Sequence, residues 1–361
     1  MNKVLDEDFR IKAGITCGDL NGIGYEIIIK TLSDNRVNEL FTPIVYGSSK
    51  AASYHRKTVN INDFNFNIIR KADQANSKKP NLVNIHDEEI KIELGIATPQ
   101  SGALAFKSLE AAVEDLKRNQ INILVTAPIN KYAIKQAGFN FPGHTEYLAT
   151  HFESEDYLML MVSKNMRVGI VTGHIPLRQV AEKLTKQLVM AKTKTLHDSL
   201  VRDFNICKPK IAVLGLNPHS GEGGLIGEEE QTMIIPVIKE LSNQGMLIFG
   251  PFPADGFFGS SAYKDFDAVL AMYHDQGMLP FKSLSFDTGV NYTAGLPIVR
   301  TSPAHGTAYE IAGKNQASPD SFREAIYLAC DIFRNRMIYE ELTSNPLIPL
   351  VTEDSNETPE T

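Results

Sequence analysis

The sequence predicts an α/β protein whose strands are mainly parallel and are covered by helices on both faces. Five runs are continuously apolar rather than alternating, at residues 41–47, 121–128, 167–174, 210–218 and 267–274. Amphipathic helical patterns lie between them, as at 103–118 and at 229–245, where Gly245 is typical of a helix end. Because uniformly apolar strands are buried on both faces, this alternation favours α/β/α layers.

The length of 361 residues is sufficient for about two domains. We expect the chain to cross between them in the loops near 128–145 and 292–306. This divides the sequence into a discontinuous first domain, a second domain and a disordered acidic tail, at residues 1–131 with 301–350, 132–300 and 351–361 respectively. The more polar segment 54–95 is expected to be peripheral.

Composition narrows the range of functions. Hydrophobic residues make up 43% and charged residues 22%, which is typical of a globular protein. The net charge of −7 argues against generic nucleic-acid binding, although a local basic pocket still suits a small anion. Three isolated cysteines, the absence of an apolar leader and the absence of a membrane-length apolar run predict a cytoplasmic protein with no membrane contact.

Three histidines follow three of the predicted buried strands. His174 follows 167–173, His219 follows 210–218, and His274 follows 267–273. Ligands bind at the carboxyl edge of open α/β sheets, and three imidazoles without cysteines suit a catalytic metal site with open positions. A single such histidine is more often a strand cap, but three in equivalent positions favour the metal site.

Glycine-rich segments form a second group of features. The segment 11-IKAGITCGDLNGIGYEIIIKTL-32 predicts a strand, a glycine loop and a helix, and Gly18, Gly22 and Gly24 allow backbone amides to approach an anionic ligand. This pattern is neither GxGxxG nor a Walker A loop, so a simple tight turn is an equal alternative. A similar glycine loop at 217–230 leads into a helix whose first turn is acidic.

Polar residues after the third histidine suit an anionic substrate. Lys282, Asn291 and Arg300 follow in order, and arginine offers a bidentate contact to carboxylate or phosphate. Asp255 lies between glycines and aromatic residues, where it serves either as a base or as a turn cap. Each of these residues alone also fits an ordinary solvated surface.

Taken together, these motifs resemble the 4-hydroxythreonine-4-phosphate dehydrogenase family of the isocitrate/isopropylmalate dehydrogenase superfamily. The resemblance extends from about Lys12 to Arg334 and is carried by 142-PGHTEYLA-149, 173-GHIPL-177, 216-LNPHSGEGG-224, 251-PFPAD-255, 273-YHDQGMLPFK-282 and 303-PAHGTAYEIAGK-314. It implies two α/β/α domains, an active site in the cleft between them, and a homodimer that shares the site across its interface.

The resemblance also implies roles for single residues. His174, His219 and His274 match the metal ligands, the third of them expected from the partner subunit. Substrate contacts fall on His144, Thr145, Lys282, Asn291 and Arg300, and proton transfer is expected from Asp255, His144 and Lys282. The cofactor is expected on Gly18, Gly22 and Gly24 and on the loop that begins with His305, Gly306 and Thr307.

The implied reaction is the oxidation of 4-phosphooxy-L-threonine by NAD or NADP with one divalent metal, zinc foremost and magnesium or cobalt as alternatives. Two departures from the family pattern concern the cofactor. The first loop lacks two usual prolines, in 18-GDLNGIGYE-26, and Ser318 stands where Asn or Asp is common. Alternatives are a threonate or erythronate 4-phosphate dehydrogenase and, with less support, a phosphate acyltransferase.

Overall fold

The computed structural model describes residues 9–345 and places twelve strands in that range. In chain order the strands are β1 Lys12–Thr16, β2 Thr42–Gly47, β3 Asn67–Ile69, β4 Asn81–Asn84, β5 Ile123–Thr126, β6 Leu158–Ser163, β7 Met166–Thr172, β8 Lys210–Leu214, β9 Leu247–Phe252, β10 Ala268–Tyr273, β11 Val290–Ala294 and β12 Arg300–Pro303. The five apolar runs predicted as strands all contain one, so those predictions are confirmed. The tail predicted to be disordered, 351–361, lies outside the described residues.

Twelve α-helices connect these strands within the described range. They are α1 Gly24–Leu32, α2 Val37–Leu40, α3 Ser49–Thr58, α4 Pro99–Lys117, α5 Lys131–Gln136, α6 His144–His151, α7 Val180–Lys183, α8 Lys186–Arg202, α9 Ile235–Asn243, α10 Ala254–Gly259, α11 His274–Ser285 and α12 Asp320–Thr343. None of them is long and apolar enough to cross a membrane.

All described strands belong to one sheet, in the order β3-β4-β2-β1-β5-β12-β11-β6-β7-β10-β8-β9. The first six strands pair in parallel, and so do the last four. Strands β11 and β6 join the two groups through antiparallel pairs. The predicted α/β class with a mainly parallel sheet is confirmed, and the two groups form one continuous sheet. The predicted domain boundaries stay predictions.

The cores lie where uniformly apolar strands meet helices. Every residue of β5 is buried, and the strand carries apolar side chains toward both faces of the sheet. Helix α4 packs beside β1, β2 and β5. It begins at Pro99, four residues earlier than the amphipathic pattern indicates, because Thr98 and Ser101 form a capping box ahead of the apolar stripe.

The segment 54–95 is more ordered than its polar composition suggests. It contains β3 and β4, which extend the sheet beyond β2 to its edge. The buried Asn81 side chain donates hydrogen bonds to the backbone carbonyls of Pro43, Asn76 and Lys79, and so fixes the preceding loop. Edge strands need fewer apolar residues, which is why composition alone favoured a loop-rich decoration.

Candidate active site

His174 and His274 lie next to each other at the carboxyl ends of neighbouring parallel strands. Strands β7 and β10 pair in register, with Thr172 opposite Tyr273, and each histidine follows within two residues. The two imidazole rings have their centroids 5.7 Å apart. Together they line a pocket of about 280 Å³. The structure thus brings together two of the three predicted metal ligands.

The chemistry of this pair suits a metal ion. Burial, and then the Lys131 ammonium, lower the pKa of His174, which favours the neutral imidazole that a metal requires. Nδ1 of His274 donates a hydrogen bond to Oδ1 of Asp275 over 2.7 Å. Metal-bound histidines commonly make such a contact, since it fixes the tautomer and directs Nε2 toward the ion.

His219 is exposed and lies in a glycine-rich turn after β8. Within residues 9–345 of this single chain, no group of three or more His, Cys, Asp or Glu side chains is placed to hold a metal ion. The expected sharing of the ligands with a second subunit therefore stays a prediction. His274, expected there from the partner, lies beside His174 of its own chain.

Hydrogen bonds join the three strand ends just before these histidines. Thr172 donates its hydroxyl to the carbonyl of Met272 over 2.6 Å, which ties β7 to β10. Gln276 accepts from the Met272 N–H over 2.7 Å and donates to the carbonyl of Gly215 over 2.6 Å, which ties β10 to β8. Gln276 was not among the predicted site residues, although its place in 273-YHDQG-277, two residues after His274, was a signal.

Arg300 forms the second part of the site, and its guanidinium is buried without a carboxylate partner in the described chain. It donates to Thr126 Oγ1 from Nε at 3.1 Å and from a terminal nitrogen at 2.7 Å, and to Thr293 Oγ1 at 3.4 Å. Burial lowers its pKa to about 10, so the group stays charged at neutral pH. A buried cation held by neutral acceptors attracts an anion.

His144, which contacts Arg300, and Asn291, on the neighbouring strand β11, each present an unpaired polar atom. Nδ1 of His144 accepts a hydrogen bond from Arg300 over 3.2 Å, so its proton is on Nε2, which is buried and has no partner among the described residues. Oδ1 of Asn291 is likewise buried and unpaired. Since native proteins rarely leave buried polar atoms unsatisfied, these atoms indicate a bound polar ligand.

The ionisation of His144 follows from its surroundings. Burial, and then the charges of Arg300 and Lys131, lower its pKa well below the usual value, so the imidazole is neutral at physiological pH. Thr145 lies one residue further along α6, with its hydroxyl 3.3 Å from that of Thr293 on β11. These contacts bring His144, Thr145 and Arg300 together, and their role as substrate contacts stays a prediction.

Lys131, which was not among the predicted site residues, connects the two parts of the site electrostatically. It follows β5, and its charge lowers the pKa of both His144 and His174. Glu146 acts on both parts in the opposite sense, because it raises the pKa of Arg300 and of His174. The histidine pair and the arginine pocket therefore share one electrostatic neighbourhood.

Two predicted residues lie at the surface. Lys282 is exposed on α11, about two turns after His274. Asp255 is exposed in the first turn of α10, although aromatic residues surround that helix. Neither side chain has a hydrogen bond or ion pair within residues 9–345 to another predicted site residue, so their roles remain predictions.

The two loops predicted to hold the cofactor are in contact. The N–H of Ile23 donates to the carbonyl of Thr307 over 3.1 Å. A Cβ on Gly22 would lie 2.8 Å from that carbonyl oxygen, so the close approach requires glycine. Nε2 of His305 is buried without a partner in the described chain, which fits a loop that meets a polar ligand.

Asp19 holds these two loops together through hydrogen bonds. Its buried carboxylate accepts hydrogen bonds from the Tyr309 hydroxyl at 2.8 Å, the Ser101 hydroxyl at 3.1 Å and the Asn21 N–H at 2.9 Å. Burial raises the pKa of this carboxyl, and the three donors partly offset the shift. Gly18, beside it, adopts φ +65°, a left-handed conformation that favours glycine.

The family model described as "Pyridoxal phosphate biosynthetic protein PdxA" matches residues 39–329. The chain belongs to this family. It is 51% identical over 342 residues to a 4-hydroxythreonine-4-phosphate dehydrogenase of Bacteroides thetaiotaomicron, with 94% of each chain covered. It is 37% identical to the D-threonate 4-phosphate dehydrogenase of Salmonella typhimurium, covering 88% of this chain and 98% of the relative. These relatives confirm the predicted family and the predicted class of enzyme, a dehydrogenase.

Solved structures confirm the predicted fold. The 4-hydroxythreonine-4-phosphate dehydrogenase of Klebsiella pneumoniae superposes with a TM-score of 0.77 at 34% identity, over 91% of this chain and all of the other. The isocitrate dehydrogenase of Methylococcus capsulatus reaches a TM-score of 0.50 at 12% identity, over 92% of this chain and 89% of the other. At that identity the second similarity concerns the fold alone.

Proposed function

We propose that this protein oxidises the secondary alcohol of 4-phosphooxy-L-threonine with NAD, or NADP, to 2-amino-3-oxo-4-phosphooxybutanoate. Decarboxylation to 3-amino-2-oxopropyl phosphate follows, as a step of pyridoxal 5′-phosphate biosynthesis in the cytoplasm. The observation that carries the proposal is the buried Arg300 guanidinium, which lacks a carboxylate partner in the described chain and contacts His144, whose Nε2 is unpaired there; Asn291, also with an unpaired atom, lies on the neighbouring strand. A relative of the same name at 51% identity supports it.

Substrate binding follows from charge and hydrogen bonding. The substrate carries two anionic groups, and the proposed site offers Arg300 and the exposed Lys282 as cations. Four of the five guanidinium N–H groups of Arg300 already have acceptors in the chain, which leaves one for an anion. Neutral His144 adds an Nε2–H donor, Asn291 adds an acceptor, and Thr145 adds a hydroxyl.

His174 and His274, with His219 of the same or a second subunit, are proposed to hold one divalent ion, zinc foremost. Such an ion, when bound, supplies Lewis-acid polarisation of a substrate oxygen. The protein prepares two of these ligands for the ion. Burial favours the neutral form of His174, and the hydrogen bond to Asp275 orients the imidazole of His274. We propose a homodimer, which allows a shared ligand set.

Proton transfer and cofactor binding complete the proposal. The exposed Asp255 carboxylate is the candidate base, while His144, whose Nδ1 is occupied by Arg300, holds the substrate through Nε2 rather than accepting a proton. Lys282 donates a proton or binds an anion. The contacting loops at 18–24 and 305–309 are proposed to hold the nicotinamide cofactor, which supplies the hydride acceptor when bound.

D-threonate or D-erythronate 4-phosphate is the alternative substrate, and the 37% identity to the D-threonate 4-phosphate dehydrogenase of Salmonella typhimurium favours it. These sugar acids share the phosphate, the carboxylate and the secondary alcohol. They differ from the amino acid at the carbon next to the carboxylate. The residues proposed above bind the phosphate, the carboxylate and the alcohol, which all of these substrates share, so they fit either substrate class.

The test is NAD⁺ and NADP⁺ reduction with each of the three phosphates, with and without a chelator. We expect chelator-sensitive reduction that is fastest with 4-phosphooxy-L-threonine. His174→Ala is expected to lower kcat/KM by about 100-fold or more, since loss of a ligand removes several kcal/mol of stabilisation. His86→Ala, in the loop after β4, is the matched control. Reduction with none of the substrates, or a fully active His174→Ala enzyme without metal, refutes the proposal.

A further inference from the structure

The turn that carries His219 has an unusual backbone. From His219 to Gly223 five successive residues have positive φ, at 52°, 52°, 77°, 43° and 70°. Three of them, His219, Ser220 and Glu222, are not glycine, and L-residues adopt this region only at a steric cost. Such a conformation persists where the surrounding structure over-determines it, and it is common at functional sites.

Glu230 is the group that fixes this turn. Its side chain is fully buried. One carboxylate oxygen accepts the backbone N–H of Asn217 at 2.7 Å, and the other accepts the Asn217 side-chain amide at 3.0 Å. No Lys, Arg or His within residues 9–345 forms an ion pair with it. A buried carboxylate held only by neutral donors is costly to keep, so its position has a structural or functional reason.

The backbone before and within the turn is wound closely around this carboxylate. A Cβ on Gly215, at the end of β8, would lie 3.1 Å from one oxygen, and a Cβ on Gly221 would lie 2.6 Å from the other. Gly221, which also has a positive φ of 77°, therefore needs glycine, and Gly215 leaves little room for a side chain. The carboxylate of Glu230 thus contacts the chain on both sides of His219, through Gly215 and Asn217 before it and Gly221 after it.

The same region is tied to the other histidines. The carbonyl of Gly215 accepts a hydrogen bond from the side-chain amide of Gln276, which lies two residues after His274. The position of the His219 turn relative to His274 therefore depends on two side chains, Gln276 next to His274 and Glu230 in the helical segment that follows the turn. Of the two, only Glu230 contacts the turn beyond His219.

We propose that Glu230 is a positioning residue for His219: its carboxylate holds the left-handed turn in the one shape that presents the imidazole to the metal. This inference rests on the proposed metal-binding role of His219. A purely structural Glu230 would stabilise the fold without affecting the metal. The two roles are separated by measuring metal affinity and ligand geometry directly.

The experiment compares Glu230→Gln with Glu228→Gln in the full-length protein. Glu228 is exposed, lies in the same segment and makes no side-chain hydrogen bond within the described chain, so it is a matched control. Co²⁺ is titrated into metal-free protein, its visible absorption is recorded, and its affinity is measured against a chromophoric chelator. We expect Glu230→Gln to bind Co²⁺ about 10- to 100-fold more weakly with a changed spectrum, and Glu228→Gln to match wild type.

Wild-type affinity and an unchanged spectrum in Glu230→Gln overturn the inference, even if the variant melts at a lower temperature. If that variant does not fold, Asn217→Ser replaces it. This variant keeps the backbone N–H bond to Glu230 and loses the side-chain bonds, and wild-type affinity there also overturns the inference. Wild-type protein that binds no Co²⁺, or His219→Ala that binds it normally, refutes instead the proposed metal role of His219 and this inference with it.

Discussion

Tyr309→Phe tests how the two cofactor loops are held together. The substitution removes one hydroxyl, which donates a hydrogen bond of 2.8 Å to the buried carboxylate of Asp19. Ser101 and the Asn21 N–H continue to satisfy that carboxylate, so the variant is expected to fold. The variant therefore loses the hydrogen bond that holds the 305–309 loop against the glycine loop.

The size of the effect follows from the type of bond. A hydrogen bond to a charged group contributes about 1.5–3 kcal/mol, and this is the free energy by which docking of the loop is weakened. If cofactor binding requires the docked loop, its apparent Kd rises in inverse proportion to the docked fraction. The upper limit is therefore about 10- to 150-fold. A saturating cofactor restores docking, so KM for the cofactor rises while kcat changes little.

The assay is steady-state kinetics with varied NAD⁺ or NADP⁺, together with the rise in Tm that saturating cofactor produces. Tyr25→Phe is the matched control, because the hydroxyl of Tyr25 is also buried but accepts the N–H of Ser48 rather than contacting the 305–309 loop. We expect the control to lower Tm without changing KM. A Tyr309→Phe enzyme with wild-type KM and a wild-type Tm shift refutes the reasoning.

Further variants test other parts of the structure. Gln276→Leu leaves the buried Met272 N–H unpaired, so we expect a loss of about 1–3 kcal/mol in urea unfolding; unchanged stability contradicts the tie between β8 and β10. Asp203→Asn leaves the buried Arg336 without the carboxylate that lies 2.7 Å away, at a cost of about 3–5 kcal/mol. Burial alone would raise the pKa of Asp203, but Arg336 holds it below its usual value, so this loss is full at neutral pH and shrinks below about pH 4. An equal loss of stability at neutral pH and below about pH 4 contradicts this role of the Asp203–Arg336 ion pair. For His144, burial lowers the pKa, so wild-type stability falls as the pH drops below about 6.5, and His144→Gln should lose that dependence.

The sequence was sufficient for the parts of the site that follow from strand periodicity. Uniformly apolar runs located β7, β8 and β10, and parallel strands end at the same edge, so His174 and His274 were expected near each other. Helix ends were less well predicted: α4 begins at Pro99 because its cap, Thr98, lies outside the apolar pattern. The signal was present but polar, and hydrophobic periodicity does not detect it.

Other features have no local signal. Glu230 looked like one of three acids suited to a helix N-terminus, yet the structure buries it under the His219 turn. Lys131 looked like an ordinary surface lysine, yet its charge acts on both His144 and His174. A residue's neighbours across the sheet depend on long-range pairing, which no short window of sequence contains.

By itself, the sequence determined the α/β class, the order of most elements, the family and the residue types available for chemistry. Those properties depend on periodicity, turn residues and motifs, which are local along the chain. Only the tertiary structure decided which atoms lack partners, as with Nε2 of His144 and Oδ1 of Asn291, and which charge is buried, as with Arg300. Burial and hydrogen bonding are properties of packed neighbours, and those neighbours come from distant segments: Thr126 and Arg300 are 174 residues apart, and Asp19 and Tyr309 are 290 apart.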